Sequence, residues 1–172
     1  DMEVFRDIID IDLVSQIAAT QALLPHMLES GSGKLIFISS IAGKVGVPLR
    51  TAYCAAKHGL IGYADALRAE LSQKRIDVHV VCPGSVATDV SRNALNGDGT
   101  RRDRSDRAID NGIPPADAAQ RIVDAIASNQ REVIVAEGME EAMGEARRTP
   151  DQLLDQVTAM VANGYMEKIQ AD

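Results

Sequence analysis

SSIAGKVGVPLRTAYCAAK, residues 39–57, follows the short apolar run Leu35 to Ile38 and ends inside a long helical pattern. It reads as a loop that joins a buried strand to a helix. Ala56, Leu60, Ala64, Leu67 and Leu71 recur at helical spacing and define the buried side of that helix, while Asp65, Glu70 and Gln73 point elsewhere. Tyr53 and Lys57 are four apart, about 40° on the helical wheel, and fall on or beside the apolar stripe. An ammonium placed there costs free energy unless a partner uses its charge.

A phenol ordinarily keeps its proton to a pH of about 10, and a neighbouring ammonium favours the phenolate. The pair therefore predicts a tyrosine brought toward acid/base work near neutrality, able to exchange a proton with an alcohol or a carbonyl. Ser40, at the mouth of the strand, is placed to donate a hydrogen bond to the same substrate oxygen. Alone, a Y-x-x-x-K spacing is a common helix-surface pair. Here it comes with the serine, a preceding buried strand and, further on, PGSVAT at 83–88.

With ISS at 38–40, YCAAK at 53–57 and PGSVAT at 83–88, the chain resembles the short-chain dehydrogenase/reductase family from about Asp1 to Glu137. The resemblance implies an α/β fold: a partial Rossmann-like doubly wound parallel sheet, made of the last three strands with their flanking helices. It also implies an oxidoreductase that moves hydride between NAD or NADP and a small-molecule alcohol or ketone. In that family pattern Tyr53 is the acid/base, and Lys57 lowers its proton affinity and holds the nicotinamide ribose hydroxyls. Ser40 positions and polarises the substrate oxygen. The cofactor contacts fall to Ile38, Tyr53, Lys57, Pro83, Gly84, Val86 and Thr88. Pairing through the Tyr53 helix and the helix before it implies a homodimer or homotetramer. SIAGK and R-x-A-Y-x-A-x-K look most like the broad carbonyl and steroid reductases of the family.

Asp12 departs from the pattern. It lies 28 residues before Ser40, where the family usually carries the asparagine of its catalytic tetrad, and it falls inside an apolar helical face. One reading is a capped or water-bonded buried carboxylate. The other is a place in a proton relay, where an ionised aspartate accepts hydrogen bonds but cannot donate as an amide does.

At 172 residues and 45% hydrophobic, the chain can bury the core of one domain. Its parts are a catalytic core at 1–88, a substrate loop at 89–113 and a helix-strand-helix segment at 114–172. A net charge of −7 with no basic stripe argues against a nucleic-acid partner. The arginines at 101, 102, 104 and 107 alternate with Asp103 and Asp106, which reads as a solvated loop before it reads as a phosphate site. Cys54 and Cys82, in a helix start and an apolar strand, read as reduced thiols and suit a cytoplasmic protein. No uninterrupted apolar run approaches the roughly 20 residues of a membrane span, so no membrane segment is expected. His26, His58 and His79 lack ligand-like spacing, and no metal site is expected.

In chain order, Phe5, Ile8, Ile9, Ala19, Leu23 and Met27 predict one helix from Val4 to about Glu29, ended by Gly31-Ser32-Gly33. Strands are predicted at Lys34 to Ile38, Val78 to Cys82 and Glu132 to Val135, with His79 a satisfied core or edge histidine. Residues 89–112 are polar and carry little periodicity; by resemblance they are the loop that orders over bound substrate. Pro114-Pro115 opens a helix with Ala119, Ile122, Val123 and Ile126 inward, and a final amphipathic helix uses Leu153, Val157, Met160 and Val161. Met139, Met143, Met160 and Met166 read as packing.

No glycine-rich phosphate-binding turn occurs, and the sequence opens on Asp1. The reading is therefore the carboxyl-terminal part of such an enzyme, inactive by itself, whose half sheet exposes apolar faces and an unpaired edge. The rival readings are a non-catalytic scaffold that binds or assembles, and a truncated product without activity.

Overall fold

A computed structural model of the chain describes residues 1–171. Three strands, β1 (Gly33–Ile38), β2 (Ile76–Pro83) and β3 (Glu132–Val135), form one parallel sheet in that order. The register runs from Gly33 opposite Ile76 to Ile38 opposite Val81, then from Val80 opposite Glu132 to Pro83 opposite Val135. The sheet is α/β in class, as the apolar runs predict.

The chain enters through a helical run in three pieces: α1 (Met2–Ile9), a π turn (Asp10–Val14) and α2 (Ser15–Ser30). Gly31 stops it in the left-handed conformation, φ 73°, and its N–H caps Met27 O at 3.0 Å. By length and a mean hydropathy of 1.2, this run is long and apolar enough to cross a membrane. No long purely apolar stretch marks it in the sequence, since Asp10, Asp12, Ser15, Gln16, Thr20 and Gln21 break up the run. Within the fold the run packs on the sheet through Leu13, Leu24 and Met27, whereas Leu23, expected inward, faces out.

Between β1 and β2 runs α3 (Thr51–Leu71), whose Ala56, Leu60, Ala64, Leu67 and Leu71 are all buried as the stripe predicts. Leu60, Ala64, Leu67 and Leu71 pack against Leu35, Phe37, Val78, Val80 and Cys82 on one face of the sheet. The opposite face, with Val81, Val133 and Val135, is covered by α6 (Pro115–Ala127). Here the inward side differs from the prediction: Ala118, Ile122 and Ala125 meet the sheet, and Val123 stays 59% exposed. Ala118, Ile122 and Ala125 follow the i, i+4, i+7 spacing of one helical face, and Val123 falls off that face.

His79 lies on this second face, 1% exposed; Nδ1 meets Gln130 O at 2.7 Å while Nε2 has no partner among the described residues. It is a core histidine, but only half satisfied. Residues 89–112 are more ordered than their composition suggests, with α4 (Val90–Asn93), α5 (Arg107–Asp110) and an antiparallel bridge between Leu95 and Arg101. After β3 come α7 (Gly138–Ala146), α8 (Asp151–Ala162) and α9 (Tyr165–Ala171). Leu154, not Leu153, is the buried anchor of α8. Ile36 and Ile38 remain 43% and 44% exposed on the α6 side of β1, and β1 pairs with one neighbour only among the described residues.

Candidate active site

The carboxyl ends of β1 and β2 build the site, where ligands of open parallel sheets bind. Ser39 N–H donates to Val81 O at 2.7 Å, prolonging the ladder, and Ser39 Oγ donates to Lys57 O at 3.0 Å, fastening the strand end to α3. The next residue, Ser40, is extended and caps a short 3-10 turn, Ile41–Gly43, by accepting from Ala42 N at 3.1 Å. Its hydroxyl donates to Pro83 O at 3.4 Å, a long bond that a substrate oxygen could replace. Gly43 lets this turn lie on α3, since a Cβ there would come within 2.8 Å of Lys57 O.

Lys57 is buried, and its charge is used. Nζ donates to Ile38 O at 3.3 Å, pairs with Asp12 Oδ1 at 3.2 Å and stands 5.5 Å from the Tyr53 ring centroid. Asp12 reaches it from the π turn, a distortion that recurs at functional sites because the extra residue re-aims side chains. Asp12 is therefore an ion-paired carboxylate, 27% exposed at its side chain, and touches both the buried lysine and solvent.

Tyr53 behaves otherwise than the sequence predicts. Burial pushes the phenol above its ordinary value; the Ser40 hydroxyl opposes the rise, Asp12 adds to it and Arg50 opposes it. Lys57, which pairs with Asp12 and donates to Ile38 O, is not among the groups that shift the phenol, so the expected lowering toward neutrality does not appear. Tyr53 is thus held in its protonated form, suited to giving a proton to a carbonyl oxygen.

The loop Pro83–Thr88 faces this group. Gly84 N–H donates to Val135 O at 3.0 Å, Ala87 N–H donates to Ile113 O at 2.9 Å, and Thr88 Oγ1 donates to Val86 O at 3.3 Å. Val86 N–H has no protein acceptor among the described residues. A free backbone donor, a residue without a side chain, an exposed hydroxyl and the buried Lys57 ammonium fit the nicotinamide and ribose portion of a dinucleotide.

Sequence reasoning missed three supports. Lys44 and Glu132, each only 5% exposed, pair at 2.7 Å and tie the turn after Ser40 to β3, with Thr149 Oγ1 accepting from Lys44 at 3.3 Å. Arg50, just before α3, pairs with Asp106 at 3.0 Å and links the Tyr53 helix to residues 89–112. Glu140 on α7 binds Ser85. None has a local sequence signal, since each partner lies more than fifty residues away. Cys54 and Cys82 are free and buried. Among the described residues, no three His, Cys, Asp or Glu side chains converge as metal ligands.

The family model described as short chain dehydrogenase matches residues 1–98, more than half of the chain. The chain belongs to the short-chain dehydrogenase family. A dehydrogenase/reductase SDR family member 7B from Danio rerio is 38% identical over 135 residues, covering 78% of this chain and 44% of that protein. A dehydrogenase/reductase SDR family protein 7-like from Drosophila melanogaster is 40% identical over 136 residues, 75% of this chain and 42% of that one. The chain thus spans less than half the length of these relatives. Its fold matches a short-chain dehydrogenase from Burkholderia cenocepacia in complex with NADP, at TM-score 0.68 and 22% identity, over 95% of this chain and 61% of that one. A short-chain dehydrogenase from Streptomyces avermitilis matches at TM-score 0.64 and 25% identity, over 98% and 63%. The matched residues 1–98 contain Asp12, Ser40, Tyr53, Lys57 and the 83–88 loop, but neither Glu132 nor Glu140.

Proposed function

We propose that the protein carrying this chain is an NAD- or NADP-dependent oxidoreductase that interconverts a small alcohol and its ketone or aldehyde. The observation that carries the reading is the buried Lys57 ammonium between Ile38 O and Asp12, 5.5 Å from the Tyr53 ring, with the Ser40 hydroxyl beside the phenol. A bound nicotinamide supplies or accepts the hydride. Ser40 donates a hydrogen bond to the substrate oxygen and fixes its position. Tyr53, protonated near neutrality, passes its proton to that oxygen as the carbonyl is reduced, and takes one back in the reverse direction. Asp12, in contact with Lys57 and partly open to solvent, is the group through which the proton is replaced. Lys57, Tyr53, Ile38, Pro83, Gly84, Val86 and Thr88 form the nicotinamide side of the site.

The catalytic core at 1–88, the substrate loop at 89–113 and the segment at 114–172 act as one partial Rossmann-type domain. Pairing through α2 and α3 gives a homodimer or homotetramer, and two unpaired buried thiols support a reducing compartment such as the cytoplasm.

The test is NADH and NADPH consumption by the intact protein against a panel of ketones and aldehydes. Carbonyl-dependent oxidation of either cofactor supports the reading. Binding of neither cofactor, and no turnover with any carbonyl, returns the protein to the scaffold class.

A further inference from the structure

We propose that Glu140 is a positioning residue for the loop Pro83–Thr88, holding it in the shape that presents the Val86 N–H to a nicotinamide carboxamide; the role rests on the oxidoreductase reading above. Glu140 stands in the first turn of α7, where the helix N-terminus favours a carboxylate. Its Oε2 accepts from Ser85 N–H at 2.6 Å and its Oε1 from Ser85 Oγ at 2.9 Å, so one charged group takes both donors of a single loop residue. From the other side, Ile113 N–H donates to Ser85 O at 2.9 Å.

These contacts orient the next amide. A trans peptide carries its C=O and the following N–H on opposite sides. With Ser85 O pinned to Ile113, the Val86 N–H must point away from that segment, and like the Thr88 N–H it is left without a protein acceptor among the described residues. The preceding Gly84 makes room for the clamp, since any Cβ there would collide with the Glu140 carboxylate and come within 2.9 Å of Ala136 Cβ. Without Glu140 the 84–85 peptide and the Ser85 side chain lose their anchor, and the Ile113 N–H bond to Ser85 O is left as the one contact among the described residues that orients the Val86 N–H.

Two readouts separate this role from general stability. Amide hydrogen exchange at Ser85, without cofactor, reads the clamp; the dissociation constants of NADH and NADPH read its consequence. Glu140→Ala in the intact protein is expected to speed Ser85 exchange by about tenfold and weaken cofactor binding by about tenfold, the scale of a lost charge-assisted bond. Glu140→Gln, which can accept from Ser85 N–H and donate to Ser85 Oγ, restores both to within about threefold. If Glu140→Ala does not fold, Ser85→Ala removes the hydroxyl contact alone and is expected to move both readouts in the same direction by less. Unchanged Ser85 exchange overturns the proposal, as does faster exchange with unaltered cofactor affinity, or a glutamine variant as impaired as alanine. A parent protein that binds neither cofactor yet shows the exchange difference overturns the oxidoreductase reading and this role with it, leaving a loop brace.

Discussion

Lys57 and Asp12 meet 3.2 Å apart where a π turn interrupts the first helical run, and through that pair a buried ammonium is connected to solvent. The carboxylate also acts on Tyr53, whose proton it helps to retain. Removing the charge in Asp12→Asn lowers the Tyr53 pKa, so the limb of the pH–rate profile governed by its ionisation moves to lower pH. Alcohol oxidation near neutrality is maintained or raised. A profile that stays in place while the melting temperature falls would make Asp12 structural only.

Arg50 links the start of α3 to residues 89–112 through Asp106. Both side chains are partly exposed, so Arg50→Ala should cost less than about 1 kcal/mol in denaturant unfolding. Its local effect is larger: limited trypsin digestion within 89–112 becomes faster. Equal cleavage rates in parent and variant would show that the pair does not restrain the loop.

The Lys44–Glu132 pair is a different case, because both groups are out of water. Lys44→Met leaves a buried carboxylate unpaired and is expected to destabilise by about 3–5 kcal/mol, whereas Lys44→Met with Glu132→Leu returns stability to near the parent value. Urea midpoints check both. A single variant as stable as the double one would contradict the burial argument.

Alkaline pH should weaken the fold. Burial raises the Cys82 thiol from 9.0 to about 12, and the Tyr53 phenol is raised above 10.0. The unfolded chain releases these protons first, so stability is complete below about pH 9 and falls as pH rises toward about 12. For Cys82 the slope is at most about 1.4 kcal/mol per pH unit. Unfolding followed from about pH 8 to 11 measures it, and Cys82→Ala removes its share. A flat profile in the parent would mean that Cys82 ionises as readily folded as unfolded.

What could be read from the sequence follows from what is local. The α3 stripe, the strand ending at Ile38 and the turn at Pro83-Gly84 are set by periodicity and by residues close in sequence, and each stands where the pattern puts it. The α6 face does not, because Ala118 and Val123 are both apolar and only packing on β2 and β3 decides which turns inward. The π turn at Asp12 has no compositional mark. Lys44 and Glu132 are 88 residues apart, and nothing in either neighbourhood announces the other. Tyr53 shows the limit most clearly: its helical neighbour Lys57 was legible, but the carboxylate that engages Lys57 comes from another helix.

Turnover and cofactor binding measured side by side in Tyr53→Phe test the central claim most directly. If the phenol transfers the proton while its neighbours hold the nicotinamide, carbonyl reduction falls by about a thousandfold or more, and the NADH or NADPH dissociation constant stays within about threefold of the parent. A phenylalanine variant that reduces carbonyls at a substantial fraction of the parent rate would contradict the account.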